Sequence, residues 1–164
     1  MQGKFRKNKK GYILIEAIIA ITIAVVGLLG IFSLLSRSLS LNRVVADRFV
    51  ASYLAAEGIE IVKNLVDNNI LAGRPWNVGL ASGAYEVDYT DTGLLPVSQR
   101  FIHFNQNTGA YGYAEITSTL IKRVITIGTS SDGEELTVGS RVSWITRGGG
   151  KFSINLEEHL FHWR

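Results

Sequence analysis

Residues 9–16 read Lys9-Lys10-Gly11-Tyr12-Ile13-Leu14-Ile15-Glu16. This stretch joins a basic segment to a long apolar one, and it places a carboxylate inside the apolar part. A charged side chain within a helix of membrane-spanning length costs about 2.5–3.5 kcal/mol on insertion scales, so it indicates a function that offsets this cost. The interpretation of the whole chain therefore depends on why Glu16 is there.

The apolar part is long enough to cross a membrane. Residues 12–35 carry no charge other than Glu16, and a helix rises about 1.5 Å per residue against a bilayer core of about 30 Å. No small-residue cleavage site follows this stretch, so we expect it to be retained rather than removed as a secretory signal.

The basic character of the chain belongs to its first residues. The net charge is +3, from 17 basic and 14 acidic residues. Residues 1–11 hold five of the basic residues and no acid, so the remainder carries 12 basic against 14 acidic residues, or −2. This distribution predicts a cytoplasmic N-terminus and a translocated remainder. It does not indicate a nucleic-acid-binding body.

The helical pattern continues beyond the apolar stretch. No proline occurs before Pro75, and residues 50–66 repeat apolar side chains at the spacing of an amphipathic helix. The stripe comprises Val50, Ala51, Leu54, Ala55, Gly58, Ile61, Val62, Leu65 and Val66. We expect one helix of about 55 residues, with a stop signal at the polar run Asp67-Asn68-Asn69 followed by Gly73 and Pro75. Gly58 would allow close packing on a sheet.

After Gly73 the apolar residues alternate with polar ones, which is typical of β-strands. We expect strands around residues 85–89, 101–104, 120–127, 136–144 and 152–156, with a hairpin turn at Asp132-Gly133. Short turns between successive strands predict an antiparallel meander. The expected fold class is α+β, divided into a leader (1–11), an apolar helix half (12–35), an amphipathic helix half (36–67) and a β head (68–164).

The motif Gly11-Tyr12-Ile13-Leu14-Ile15-Glu16, behind a basic leader and opening an apolar helix, resembles the class III signal of type IV prepilins and type II secretion pseudopilins. The expected architecture, a long helix carrying a small antiparallel sheet, resembles that family too. The segment 51–58 and the strand with Trp144 are similar to heads of minor pilins. The resemblance implies a structural, non-enzymatic filament subunit without a cofactor.

The resemblance also implies roles for three residues. A prepilin peptidase would cut between Gly11 and Tyr12 and methylate the new amine of Tyr12. Glu16 would pair with the Tyr12 amine of a neighbouring subunit, which offsets its desolvation. The implied partners are the peptidase, other pilin subunits and, before assembly, inner-membrane lipid. The implied location is a single-pass inner membrane protein with an extracytoplasmic head, then a cell-surface or periplasmic filament.

The chain departs from the family pattern in three ways. Ile13 stands where threonine is common, the helix-kinking proline is absent while Gly27 and Gly30 are present, and the chain has no cysteine. The missing cysteines exclude the disulfide of many pilin heads and any Cys-based metal site.

No catalytic constellation is evident. We find no nucleophile elbow or P-loop. His159 and His162 would suit a metal only on a helix, and their segment is expected to end a strand, so no metal site is predicted.

Two rival functions remain open. The first is a pilin with a DNA-uptake or adhesive head, for which the head offers scattered cations: Arg100, Lys122, Arg123, Arg141, Arg147 and Lys151. The second is an uncleaved bitopic membrane protein with an extracytoplasmic domain, in which Glu16 has no special role.

Overall fold

The computed structural model describes residues 9–114, 117–146 and 148–162. Most of the expected leader, residues 1–8, therefore lies outside the described residues. The chain divides into two compact units, residues 1–44 and 45–164.

Helix α1 spans Lys9–Leu71 and is longer than the sequence predicted. It begins three residues before Tyr12, so the expected leader boundary does not coincide with a helix boundary. It also continues four residues past Asp67, so the prediction that the polar run at 67–69 ends the helix was wrong.

The end of α1 is set by Gly73, which adopts a left-handed conformation with φ of 66°. The amide of Gly73 donates to the Ile70 carbonyl at 3.0 Å, and that of Arg74 donates to the Asn69 carbonyl at 2.9 Å. These two bonds form a Schellman motif, which satisfies the last carbonyls of a helix. The Asn69 side chain is buried and donates to the Trp76 and Val78 carbonyls, so it anchors the chain that leaves the helix.

Seven strands form one antiparallel sheet. The strands are β1 (Gly83–Glu86), β2 (Leu95–Pro96), β3 (Ile102–Phe104), β4 (Tyr111–Gly112), β5 (Thr117–Thr129), β6 (Glu135–Ile145) and β7 (Lys151–Phe161). Strands β5, β6 and β7 form the expected meander. Along its other edge, β5 pairs with both β1 and β3. The short strand β2 pairs with β1, and the short strand β4 pairs with β3. The fold class is therefore α+β, and the simple meander extends only over the last three strands.

Strand β1 is shorter than the alternation through Tyr89 predicted. The Asp88 side chain accepts hydrogen bonds from the Thr90 amide at 2.8 Å and the Thr90 hydroxyl at 2.6 Å. This Asx turn redirects the backbone directly after β1. The expected turn at Asp132-Gly133 is present between β5 and β6, where Gly133 has φ of 77° and its amide donates to the Ser130 carbonyl.

The apolar stripe of α1 packs on the inner face of the sheet, as the sequence predicted. The buried apolar residues of this core are Ala51, Leu54, Ala55, Ile59, Val62 and Val66 from α1, and Ile102, Ile125, Ile127, Leu136, Val138, Val142 and Trp144 from the strands. Successive residues of β6 point to opposite faces of the sheet. Leu136, Val138, Val142 and Trp144 lie on the same face and are buried, as expected.

Gly58 is the point of closest approach between α1 and the sheet. A Cβ atom placed on Gly58 would lie 2.6 Å from Ser140 Oγ, 2.7 Å from Ile125 Cδ1 and 3.0 Å from Arg123 Cδ. A side chain at position 58 would have to displace these three side-chain atoms of β5 and β6. The expected role of Gly58 in close packing is confirmed.

We predict that Gly58→Ala destabilises the head by about 1–3 kcal/mol, because an added methyl group overpacks the interface. Gly27→Ala is the matched control, since a Cβ on Gly27 has no atom within 4 Å. Thermal unfolding of the detergent-solubilised chain, followed by near-ultraviolet circular dichroism, measures both. An unchanged melting temperature for Gly58→Ala would contradict the packing argument.

Candidate functional site

The first candidate site lies at the start of α1. By length and composition, α1 is the one helix among the described residues that could cross a membrane, and its most apolar window is not buried. The side chain of Tyr12 is 75% exposed, and those of residues 13–35 are exposed as well. An apolar surface of this extent indicates a lipid environment or a partner.

The structure brings the three predicted site residues together within the first turns of α1. Gly11 and Tyr12 are helical, and Glu16 lies one turn after Tyr12, on the same side of the helix. Within the described residues, Glu16 has no hydrogen bond or ion pair. Its charge is therefore not satisfied inside the described part of the chain.

Gly11 is helical in the structure. Glycine weakens a helix by about 1 kcal/mol relative to alanine. The bond that the motif would expose to a peptidase therefore lies next to a residue that favours local unwinding of the helix.

The Thr22 hydroxyl, in the apolar half of α1, is satisfied by its own helix. The Thr22 hydroxyl lies 2.9 Å from the Ile18 carbonyl and 2.8 Å from that of Ile19. Such back-bonding removes a hydroxyl from contact with hydrocarbon. Glu16 has no comparable local acceptor or donor.

The second candidate site is a buried polar network in the head, centred on Arg123. This side chain is 1% exposed. Its guanidinium donates to the Leu54 carbonyl at 2.9 Å, to the Glu57 carboxylate at 3.0 Å and to the Val87 carbonyl at 2.5 Å. One side chain of β5 thereby binds α1 and the segment that follows β1.

A second ion pair fixes the segment between β1 and β3. Glu86 is 1% exposed and accepts bonds from the Arg100 side chain at 2.8 Å, the Arg100 amide at 3.1 Å and the Ser98 hydroxyl at 3.0 Å. The Arg100 guanidinium also lies 3.9 Å from the ring centroid of Tyr113. Asp88 completes the network by accepting the Tyr113 amide at 2.9 Å.

Burial and hydrogen bonding shift the pKa values of Glu86 and Asp88 in opposite directions. Burial raises the pKa of the Glu86 carboxyl, but the bonds from Arg100 and Ser98 outweigh it and hold the pKa below its ordinary value of 4.5. For Asp88, burial likewise raises the pKa, and the bonds from Thr90 and Tyr113 bring it below 3.8. For Tyr113, burial raises the pKa to about 12. Glu86 and Asp88 are therefore ionised and Tyr113 is neutral at neutral pH, as in a structural network.

Sequence reasoning missed this network, although one signal was available. Ile121, Ile125 and Ile127 alternate on the buried face of β5, and Arg123 stands between them in the same alternation. A cation at that position must be buried, and buried cations require a carboxylate or carbonyl partner.

Two of the six head cations considered for nucleic-acid binding, Arg100 and Arg123, belong to this network. Arg123 is buried and Arg100 is paired with Glu86, while Arg147 lies outside the described residues. Lys122, Arg141 and Lys151 are solvent-accessible, and Lys122 stacks on Phe101.

The two histidines near the end of β7 are each paired with a carboxylate. His159 contacts Glu135, and His162 Nδ1 lies 3.1 Å from a Glu134 oxygen. The hydrogen bond that the His159 ring donates to the Glu135 carboxylate raises the pKa of His159. Among the described residues, no three His, Asp or Glu side chains form a group that could hold a metal ion.

An exposed aromatic groove lies beside the network. It has a volume of about 580 Å³ and is lined mainly by Phe49, Tyr53, Tyr89 and Tyr111. Its aromatic rings come from α1, from the segment after β1 and from β4, so only the tertiary fold brings them together.

Comparisons of this chain with family models, with curated proteins and with solved structures find no match.

We predict that the ionised Glu86 carboxylate stabilises the head at pH values above 4.5, its ordinary pKa. This stabilisation is lost as the pH falls through the lower pKa that Glu86 has in the folded chain. The slope of melting temperature against pH in this acid range should be shallower for Glu86→Gln than for the parent chain. Glu60→Gln serves as the control, because the Glu60 side chain is 63% exposed. Equal slopes for all three chains would contradict the prediction.

Proposed function

We propose that this chain is a structural subunit, of the minor type, of a type IV pilus or a related pseudopilus filament. It would be cut after Gly11 and methylated at Tyr12 by a prepilin peptidase. The observation that carries the proposal is the motif from Gly11 to Glu16 at the start of an exposed apolar helix. A helix packed on an antiparallel sheet, as in the head, is consistent with it.

The physical argument rests on Glu16. Lipid is as apolar as the helix itself, so apolar contact alone gives no strong preference for association within a membrane. An unpaired carboxylate changes this, because pairing with an amine in a low-dielectric helix bundle recovers part of its desolvation cost. Cleavage after Gly11 would create such an amine at Tyr12. The same residue pair would then provide both the driving force and the axial register of assembly.

The proposed processing also fits the position of Gly11. The scissile bond would lie on the N-terminal side of the apolar segment, residues 12–35. Local unwinding at this glycine would expose the bond without disturbing the apolar segment.

We predict that co-expression with an active prepilin peptidase yields a product that begins at Tyr12 and carries one added methyl group. Intact mass and N-terminal sequencing measure both changes. Co-expression with a catalytically inactive peptidase is the control and should leave the N-terminus at Met1. An N-terminus at Met1 with the active enzyme would favour the uncleaved bitopic membrane protein instead.

We further predict that Glu16→Ala and Glu16→Gln insert normally but enter filaments at least about tenfold less than the parent chain. Removal of one partner of a buried ion pair costs about 3–5 kcal/mol, and 1.4 kcal/mol already corresponds to a factor of ten. Thr22→Ala is the matched control in the same helix, because the Thr22 hydroxyl is satisfied by its own turn. The ratio of subunit in sheared filaments to subunit in membranes is the readout, and an unchanged ratio for Glu16→Ala would reject the role of Glu16.

A further inference from the structure

The aromatic groove of the head combines four rings with a single charge. Among the described residues that line it, Glu57 is the one charged side chain, and the rings are those of Phe49, Tyr53, Tyr89 and Tyr111. All the lining residues lie within the unit 45–164. The volume of about 580 Å³ falls in the range of about 300–1,000 Å³ that is usual for small-molecule sites.

Three of the four rings are open to solvent. Phe49 is 63% exposed, Tyr53 is 66% exposed and Tyr89 is 52% exposed. Large apolar side chains that stand singly on a surface need no explanation, but several that gather in one concave place are typical of a binding surface. The groove therefore presents aromatic faces that a ligand can cover.

The walls of the groove are held in place by their own packing. The Tyr111 ring lies 4.7 Å from that of Phe104, and the Phe49 ring lies 5.0 Å from that of Tyr53, measured between centroids. Two backbone hydrogen bonds of 2.8 and 2.9 Å close the turn 105–110, which forms part of one wall. A ligand that enters a pre-formed groove has little ordering of side chains to offset.

The electrostatic surroundings of the groove are negative. The Glu57 side chain is 34% exposed, and one of its oxygens accepts a bond from Arg123 at 3.0 Å. Arg123 itself is 1% exposed, so its charge does not enter the groove. Burial, and to a smaller extent the nearby carboxylate of Asp47, raises the pKa of Tyr111. Asp47 has no ion pair among the described residues, so the groove repels anions and attracts cations.

The rings favour the same sign of ligand charge as the carboxylates do. The face of an aromatic ring attracts a cation that lies over it, and this attraction grows when the cation loses water. A primary ammonium carries three hydrogen-bond donors, each of which needs an acceptor after it leaves water. A quaternary ammonium carries none, so it suits an aromatic lining whose one carboxylate already binds Arg123.

We propose that the aromatic groove binds a small, free organic molecule that carries a quaternary ammonium group. The cation lies over the faces of the lining rings, and Glu57 and Asp47 provide the opposite charge. This site is independent of the proposed function, because all the residues that form it belong to the head.

Choline is the probe, and the full chain in maltoside micelles is the receptor, since phosphocholine detergents would compete. We expect the N-methyl proton signal of choline to shift upfield during the titration, because ring faces shield protons that lie over them. Dimethylbutanol, the uncharged isostere with carbon in place of the nitrogen, should bind at least about tenfold more weakly. Absence of choline binding, or equal binding of the isostere, would overturn the proposal.

Substitutions in the head locate the site. Tyr53→Leu removes a ring face and should weaken choline binding at least about threefold, whereas Tyr53→Phe keeps the face and should bind as the parent chain does. Equal binding by these two variants would show that choline does not occupy the groove and would overturn the proposal.

A second pair of variants tests the charge. Asp47→Asn should weaken choline binding at least about twofold at low ionic strength, and added salt should reduce this difference. Glu60→Gln is the control, because Glu60 is exposed and does not line the groove. An equal effect of both substitutions would contradict a local role of Asp47.

Two further probes separate a free quaternary ammonium from other cations. Ethanolamine carries a primary ammonium, as a lysine side chain does, and phosphocholine adds the phosphate of a lipid headgroup. We expect both to bind more weakly than choline, ethanolamine because its donors lose water and phosphocholine because the two carboxylates repel its phosphate. Binding of either probe as tight as that of choline would overturn the choice of ligand. None of these readouts requires peptidase cleavage, so a failure here is distinguishable from a failure of the proposed function.

Discussion

The Arg123 guanidinium is the interaction on which the head depends. It binds the helix through the Leu54 carbonyl and Glu57, and it binds the segment after β1 through the Val87 carbonyl. Its removal would leave the Val87 carbonyl without this donor, and a buried polar group left unpaired costs about 1–3 kcal/mol. The chain has no cysteine, so hydrogen bonds and ion pairs, rather than a disulfide, hold the irregular segment between β1 and β3 against the core.

The close approach of α1 to the sheet at Gly58 and the hydrogen bonds of Arg123 to α1 depend on each other. Arg123 Cδ would lie 3.0 Å from a Cβ on Gly58, so the side chain passes directly beneath the glycine to reach the Leu54 carbonyl. A larger residue at position 58 would move the helix away and lengthen these bonds. The small residues of α1, including Ala51 and Ala55, which are also fully buried, let the backbone approach the sheet closely enough for a strand side chain to bind a helix carbonyl.

Much of this fold could be predicted from local sequence patterns. The apolar stripe of α1 and the alternation in β6 identified the core, because both reflect one buried face. The helix end was predicted too early, since polar residues at 67–69 are compatible with a helix and only the left-handed Gly73 ends it. The shared pairing of β1 and β3 with β5 depends on contacts far apart in sequence, and no local pattern encodes it. The Arg123 network was missed because charged residues were considered as surface groups, although the alternation in β5 placed Arg123 on the buried face.

The satisfied and unsatisfied polar groups of this chain divide in an informative way. Glu86, Asp88 and Arg123 are buried, and each has partners supplied by the same chain. Glu16 has none among the described residues. In water an unpaired carboxylate costs little, but Glu16 lies in a segment suited to lipid. A charge that loses water without an internal partner needs one outside the chain, and under the proposed function that partner is an amine of a neighbouring subunit.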